Sequence, residues 1–219
     1  AIRIDRDNKR VLVRNLSEQT EEWISYDKLM LAPGARPRIP AIAGVNNPRI
    51  HTLRNLSDMD RIIADTAPGM NAVVIGAGCA GLFAALTLAE AGLKPLLIER
   101  GDPAFRRSQA IDLFLKERIL DPESNIQFGL GGAGTFSDGK LNTGTKNPAH
   151  RLILETFVEA GAPRDILWDA KPHIGSDILP KVVTAISQRI EQLGGVVRYR
   201  TKLVDIRIDA SGAITGIDV

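Results

Sequence analysis

The stretch Val73–Gly101, "VVIGAGCAGLFAALTLAEAGLKPLLIERG", decides the fold. Val73, Val74 and Ile75 are β-branched and read as a strand over residues 72–76. An apolar run then predicts a helix over 79–91, stopped by Gly92 in a C-cap role that glycine fills without steric penalty. "PLLIE" reads as a second strand over 95–99. Strand, helix and strand in this spacing make a βαβ unit with parallel strands. Between the first strand and the helix stands Gly76-Ala77-Gly78-Cys79-Ala80-Gly81, a G-x-G-x-x-G pattern, and Glu99 closes the second strand. In that context the pattern is a dinucleotide fingerprint. Gly76 permits the tight turn, Gly78 lets the backbone approach a pyrophosphate, and Gly81 lets the helix pack on the strand. The helix head offers unpaired N–H groups and a positive dipole end to phosphate. Glu99 can accept hydrogen bonds from ribose hydroxyls. Gly76, Gly78, Cys79, Ala80, Gly81, Glu99 and the adjacent Arg100 are therefore candidate cofactor-binding residues. A helix N-terminus can lower a thiol pKa, but the Cys79 thiol would face phosphate rather than substrate and reads as structural.

Composition is ordinary for a globular chain of 219 residues, 44% apolar and 25% charged, enough for one large domain or two small ones. The net charge is +2 and the signs alternate along the chain. No basic stripe with interleaved aromatics is present, which argues against a nucleic-acid partner. Cys79 is the single cysteine, so an intrachain disulfide and a CxxC pair are both ruled out. That usage fits a reducing, cytoplasmic setting, and no secretory signal opens the chain. A chain that starts on Ala1 instead of Met is expected to be a fragment or a processed form. Ala72–Ala89 carries no charge for eighteen residues, the lower limit of a membrane span. Gly76, Gly78 and Gly81 break its first half, so no span is expected. No HExxH motif, Cys/His cluster or carboxylate ladder points to a metal.

The chain divides at Pro68-Gly69 into a β-rich segment with a linker, 1–69, and a dinucleotide-binding domain, 70–219. Residues 1–31 read as strands, with a hairpin at Asp7-Asn8 and a further strand in "YDKLMLA". "GARPRIPAIAGVNNP" is loop, and a helix is expected over 52–65 with Ser57 as its N-cap. Beyond the βαβ unit a long irregular stretch runs to about residue 150. Helices are expected over 150–161 and 177–193, and "VVRYRTKLVDIRID" with "AITGIDV" forms a closing hairpin over Ser211-Gly212. The expected class is α/β: a Rossmann-like FAD/NAD(P)-binding domain with a parallel sheet, flanking helices and an added antiparallel hairpin or meander.

Inside the irregular stretch lies Phe128–Gly144, "FGLGGAGTFSDGKLNTG", with six glycines in seventeen residues. Glycines expose backbone N–H groups without side-chain bulk, and successive N–H groups form anion-binding nests. Ser137, Thr135 and Lys140 add donors. Ala133, Phe136 and Leu141 argue against a purely solvated linker. The distance from Glu99 to the helix at 177–193 far exceeds an ordinary connection. An insertion of that size suits a flavin better than a nicotinamide.

"VVIGAGCAGLFAALTLAEAGLKPLLIERG", "DPESNIQFGLGGAGTFSDGKLNT", "EAGAPRDILWDAKPHIGSDIL" and "LGGVVRYRTKLVDI" together resemble the bacterial FAD-dependent dehydrogenases, relatives of the glutathione-reductase-type flavoproteins. The resemblance covers about residues 70–219. It implies that Gly131, Gly132, Ala133, Gly134, Thr135, Ser137 and Lys140 lie along FAD. It also implies that Glu99 holds the adenosine ribose, that Arg106 or Arg107 lies near the cofactor, and that Leu203 offers main-chain groups to adenine. Two positions depart from the family pattern: Cys79 stands where proline is usual, and Leu130 stands where glutamate is usual, which removes a charge beside the cofactor loop. Residues 1–69, through "ISYDKLMLAPGARPRIPAIAGV" and "IHTLRNLSDMDRI", resemble pyridine-nucleotide disulfide oxidoreductases of the NADH oxidase and coenzyme A disulfide reductase branch. That resemblance places Gly34 close to FAD, and a displaced strand around it is expected near the Gly76–Gly81 loop. In the second family GAGCAG would hold NADH, in the first FAD; the longer downstream match favours FAD.

The implied chemistry is hydride transfer from NAD(P)H or a reduced small-molecule substrate through FAD to an electron acceptor. His173 and Asp138 are the candidate catalytic residues, whereas His51 and His150 read as surface positions. Two other readings stay open: an NAD(P)H-binding domain of a disulfide-reductase-like enzyme, and a non-catalytic truncated or chimeric chain.

Overall fold

The computed structural model describes residues 1–31, 39–54, 56–141 and 149–219. They fall into two compact units, Ala1–Arg36 and Pro37–Val219.

The first unit is an antiparallel meander of β1 (Arg3–Asp5), β2 (Arg10–Arg14) and β3 (Glu21–Ser25), in the order β1-β2-β3. Its first turn is the expected one. The Asp5 carboxylate accepts hydrogen bonds from the Asn8 N–H at 3.1 Å and from Arg10 Nε at 2.9 Å. The Asn8 side chain and backbone, then Arg10, pull the Asp5 carboxyl down to about 2. The strand expected in "YDKLMLA" does not form over residues 26–31. Tyr26 still donates to the Lys9 carbonyl at 2.8 Å, then the chain bends at Asp27-Lys28 and leaves the ladder. An apolar run without a pairing partner does not make a strand.

In the second unit β4 (Val73–Ile75), β5 (Leu96–Ile98) and β6 (Val196–Arg198) form a parallel sheet in the order β4-β5-β6. Val74, Leu97 and Val197 stand side by side in register on one face. That face belongs to the hydrophobic core made with α2 (Cys79–Glu90) and α5 (Leu179–Gln192), in which Leu82, Ala85, Leu97, Val182 and Ile190 are almost wholly buried. The βαβ unit is the one the sequence spelled out. Gly92 (φ +82°) ends α2 through the Gly92 and Leu93 N–H groups, which return to Ala89 and Leu88.

The connection from β5 to β6 carries α3 (Ala104–Glu117), α4 (Ala149–Glu159) and α5. The sequence led us to expect α4 and α5 but not α3. The buried positions of α3 are Ala104, Arg107 and Ile111, so an arginine occupies one inward site and hides the apolar period. Helix α1 (Leu56–Asp65) starts later than expected, and Asp58 rather than Ser57 accepts the Arg54 N–H, at 2.9 Å. "VVRYRTKLVDIRID" is not one hairpin arm. It gives β6 to the parallel sheet and β7 (Asp205–Ile208) to an antiparallel pair with β8 (Ile214–Asp218).

Arg200 (φ +52°) sits at the end of β6, where the two strands part company. Its Nε donates to Asp102 Oδ1 at 2.9 Å, and its Nη1 and Nη2 donate to Asp121 at 3.3 and 2.6 Å. This fork ties the turn after β5 to the loop after α3, and it is the leading cause that lowers the Asp121 carboxyl.

Two consequences are measurable. Leu97→Ala removes a fully buried side chain from the middle of the sheet and should destabilise the second unit by about 2–5 kcal/mol in urea unfolding. Asp121 has a lowered folded pKa, so its contribution is complete above the unfolded carboxylate value of about 4 and is lost as pH falls through the lower folded value. The stability difference between wild type and Asp121→Asn should therefore be largest above about pH 4 and shrink on acidification; a difference that stays constant down to about pH 2 would contradict the clamp.

Candidate dinucleotide-binding site

The first glycine loop turns as its sequence requires. Gly76 adopts φ +90°, and its N–H still reaches the Ile98 carbonyl at 2.8 Å. A Cβ on Gly81 would run into the Gly76 carbonyl oxygen, so the close packing of helix on turn admits only hydrogen there. Gly78 is extended (φ −70°, ψ 178°) and precedes α2 without any side-chain cap, while Cys79 and Ala80 are exposed. The head of a twelve-residue helix thus faces outward without a side chain bonded across it. Protein packed around the sulfur pushes the Cys79 thiol up, although the residue is exposed.

Glu99 is 5% exposed, and its carboxylate is a junction of backbone amides. Oε2 accepts the Ala77 N–H at 2.7 Å, and Oε1 accepts the Gly101 and Gly129 N–H groups at 2.9 and 3.0 Å. This leaves one further acceptor position on Oε2. Gly101 and Gly129 approach so closely that a Cβ on Gly101 would lie 2.7 Å from Gly129 Cα.

The second glycine stretch docks on the first. The Gly131 N–H donates to the Ala77 carbonyl at 2.7 Å, and Gly78 and Gly131 form a parallel bridge. Gly129, Gly131 and Gly132 have φ of +121°, +86° and +70°. Ala133–Phe136 is one 3-10 turn, in which Ala133 and Gly134 are exposed and Thr135 is buried. Ser137 Oγ donates to the Gly134 carbonyl at 2.7 Å. Leu130, where the resembling family has glutamate, is 1% exposed within the hydrophobic core; its packing suits an uncharged side chain.

The candidate catalytic residues share one edge. Leu141 N–H donates to Pro172 O and Ile174 N–H to Gly139 O, both at 2.9 Å, which sets Lys140 opposite His173. Lys140 Nζ pairs with Asp138 Oδ2 at 2.9 Å; the pair lowers Asp138 and raises Lys140, and both are well exposed. Cys79, Phe83, Thr135, Ser137, Lys140 and Leu141 line part of a cleft of about 120 Å³ beside the head of α2.

The arginines divide. Arg106 is exposed on α3. Arg107 is fully buried, and burial pulls it down to about 10 while the Glu99 charge opposes the fall. Arg100 lies 3.9 Å from the Phe128 ring centroid and donates to Glu123 Oε2 at 2.7 Å. Leu203 is half-buried between β6 and β7. Gly34 lies outside the described residues. Gly101 and Gly129 escaped the sequence reading; the signal available was a glycine directly after the acid. Among the described residues no group of three or more His, Cys, Asp or Glu side chains is placed to hold a metal ion, and no helix is long and apolar enough to cross a membrane.

The profile of a family described as pyridine nucleotide-disulphide oxidoreductase matches residues 1–129, more than half of the chain and unbroken from the meander through the Gly76–Gly81 loop. The chain belongs to that family. Among curated oxidoreductases, a probable ferredoxin reductase of Castellaniella defragrans is 34% identical over 213 residues, 97% of this chain and 48% of its own length. A coenzyme A disulfide reductase of Staphylococcus aureus is 40% identical over 64% of this chain and 33% of its own length. An uncharacterised protein of Clostridium beijerinckii is 47% identical over 61% of this chain and 25% of its own length. The chain thus spans between a quarter and a half of these relatives. A water-forming NADH oxidase from Lactobacillus brevis, solved bound to NADH, shares the fold with a TM-score of 0.54 at 19% identity, covering 99% of this chain and 33% of its own.

Gly81→Ala drives a methyl group onto backbone. We expect a loss of about 1–3 kcal/mol in thermal or urea unfolding, because the obstacle is a peptide carbonyl that cannot rotate aside.

Proposed function

We propose that residues 70–219 form the cofactor-binding portion of an FAD-dependent oxidoreductase. The observation that carries the reading is the docking of one glycine loop on the other at an open helix head. Pyrophosphate would sit on the N–H groups of residues 78–81, where no side chain competes and the helix dipole favours negative charge. Glu99 keeps the loops in register and has one acceptor position for a ribose hydroxyl. Leu203 would contribute main-chain groups on the adenine side. Gly131, Gly132, Ala133, Gly134, Thr135, Ser137 and Lys140 would flank the remainder of the cofactor, as the resemblance to FAD-dependent dehydrogenases implies.

FAD, when bound, supplies hydride acceptance and electron release; the chain supplies orientation and polarity. Lys140 and Asp138 place a cation and a carboxylate beside the cleft, with His173 across the paired segment. That edge is where NAD(P)H or a small-molecule reductant would meet the cofactor, with electrons passing on to an acceptor. His173 and Asp138 remain the candidates for holding or moving a proton there.

One observation favours a second reading. The family match crosses residue 69 without a break and includes the Gly76–Gly81 loop, so the same loop could hold a nicotinamide dinucleotide. Absorbance and thermal shift separate the two. The FAD reading expects a yellow protein, or an apoprotein stabilised by FAD by about 2.7 kcal/mol at a hundredfold excess over Kd. A colourless protein stabilised by NADH and not by FAD establishes the second reading, and indifference to both rejects each.

A further inference from the structure

Among the described residues Arg107 has no carboxylate partner. Its buried guanidinium instead spends its donors on one loop: Nε to Asn125 O at 2.8 Å, Nη2 to Ile126 O at 2.7 Å, and Nη1 to Leu130 O at 2.8 Å, with Gly129 O at 3.4 Å. The cation also lies 4.9 Å from the Phe136 ring centroid, at the end of the 3-10 turn. The segment that enters the second glycine loop is therefore wound around a single side chain from α3.

We propose that Arg107 is a positioning residue for the dinucleotide site and not a cofactor contact: it sets the second glycine loop so that Gly129 closes on Glu99 and Gly131 closes on Ala77. This rests on the dinucleotide reading. Gly129 is the link, since its N–H goes to Glu99 Oε1 at 3.0 Å while its carbonyl faces Arg107 Nη1. A Cβ on Gly129 would stand 2.5 Å from Arg107 Cδ, so the loop lies directly against the arginine stem. A buried cation and a buried anion thus grip one residue from opposite sides, and the guanidinium is turned to the loop carbonyls. Arg106, exposed one position earlier, has none of these bonds among the described residues.

A planar fork is required. Lysine offers a point charge that cannot span carbonyls on Asn125, Ile126 and Leu130, and methionine takes the guanidinium donors from all three, leaving Leu130 O only the Thr135 hydroxyl at 3.4 Å. Peptide-resolved hydrogen exchange and cofactor titration on wild type, Arg107→Lys and Arg107→Met test the assignment. We expect exchange over residues 125–136 to accelerate by about tenfold or more in Arg107→Met, with α5 and β5 unchanged, and Kd for the bound dinucleotide (FAD or NADH, titrated separately) to rise by a similar factor. Arg107→Lys should fold and show the same pattern to a smaller extent, and it decides the matter if Arg107→Met does not fold. Methylguanidinium at millimolar concentration should restore slow exchange and affinity to Arg107→Ala. Wild-type exchange and affinity in Arg107→Lys and Arg107→Met would overturn the proposal, as would acceleration spread evenly over α5 and β5. If wild type binds neither FAD nor NADH, the dinucleotide reading fails and the ligand half of this proposal falls with it, while the exchange pattern still decides whether Arg107 sets the loop.

Discussion

The carboxylate of Glu99 is the point on which the site depends. A buried anion needs donors, and here the donors are main-chain N–H groups of Ala77, Gly101 and Gly129. Those residues come from the turn after β4, the end of β5 and the second glycine stretch, so satisfying one charge brings together segments far apart in the chain. Arg107 balances that charge from the other side of Gly129. Neither ion makes sense alone: each would carry a large desolvation cost, and together they hold a loop in which Gly129, Gly131 and Gly132 have no side chains to pack.

Glycine serves this arrangement through space as much as through dihedral freedom. Gly81 must pass a carbonyl and Gly101 must pass the Gly129 backbone. This closeness makes the loops intolerant of side chains. A low-complexity appearance in the sequence thus corresponds to one of the most tightly specified parts of the fold.

The βαβ unit was legible because strand, turn, helix and acid are local features with known spacing. Helix α3 was not, because its inward face carries Arg107, whose partners are carbonyls twenty residues downstream and leave no trace in hydrophobic periodicity. "YDKLMLA" misled in the opposite direction: its apolar run suits a strand, but nothing pairs with residues 27–31 in the described structure. Spacing made Glu99 the candidate acid of the fingerprint, and its bonds to the backbone could not be foreseen because two of its donors, Gly101 and Gly129, are defined by a fold-level approach.

Sequence alone determined the class of the domain, the place of the parallel crossover and the glycine turn at the head of α2, since each follows from local stereochemistry and period. Tertiary structure decided which arginine is buried, which glycines touch, that Leu130 belongs to the core, and that β6 joins the parallel sheet while β7 leaves it. Those outcomes depend on which distant segments come into contact, and contact between distant segments is set by how charges and amides are satisfied when water is removed, a constraint no short window of residues contains.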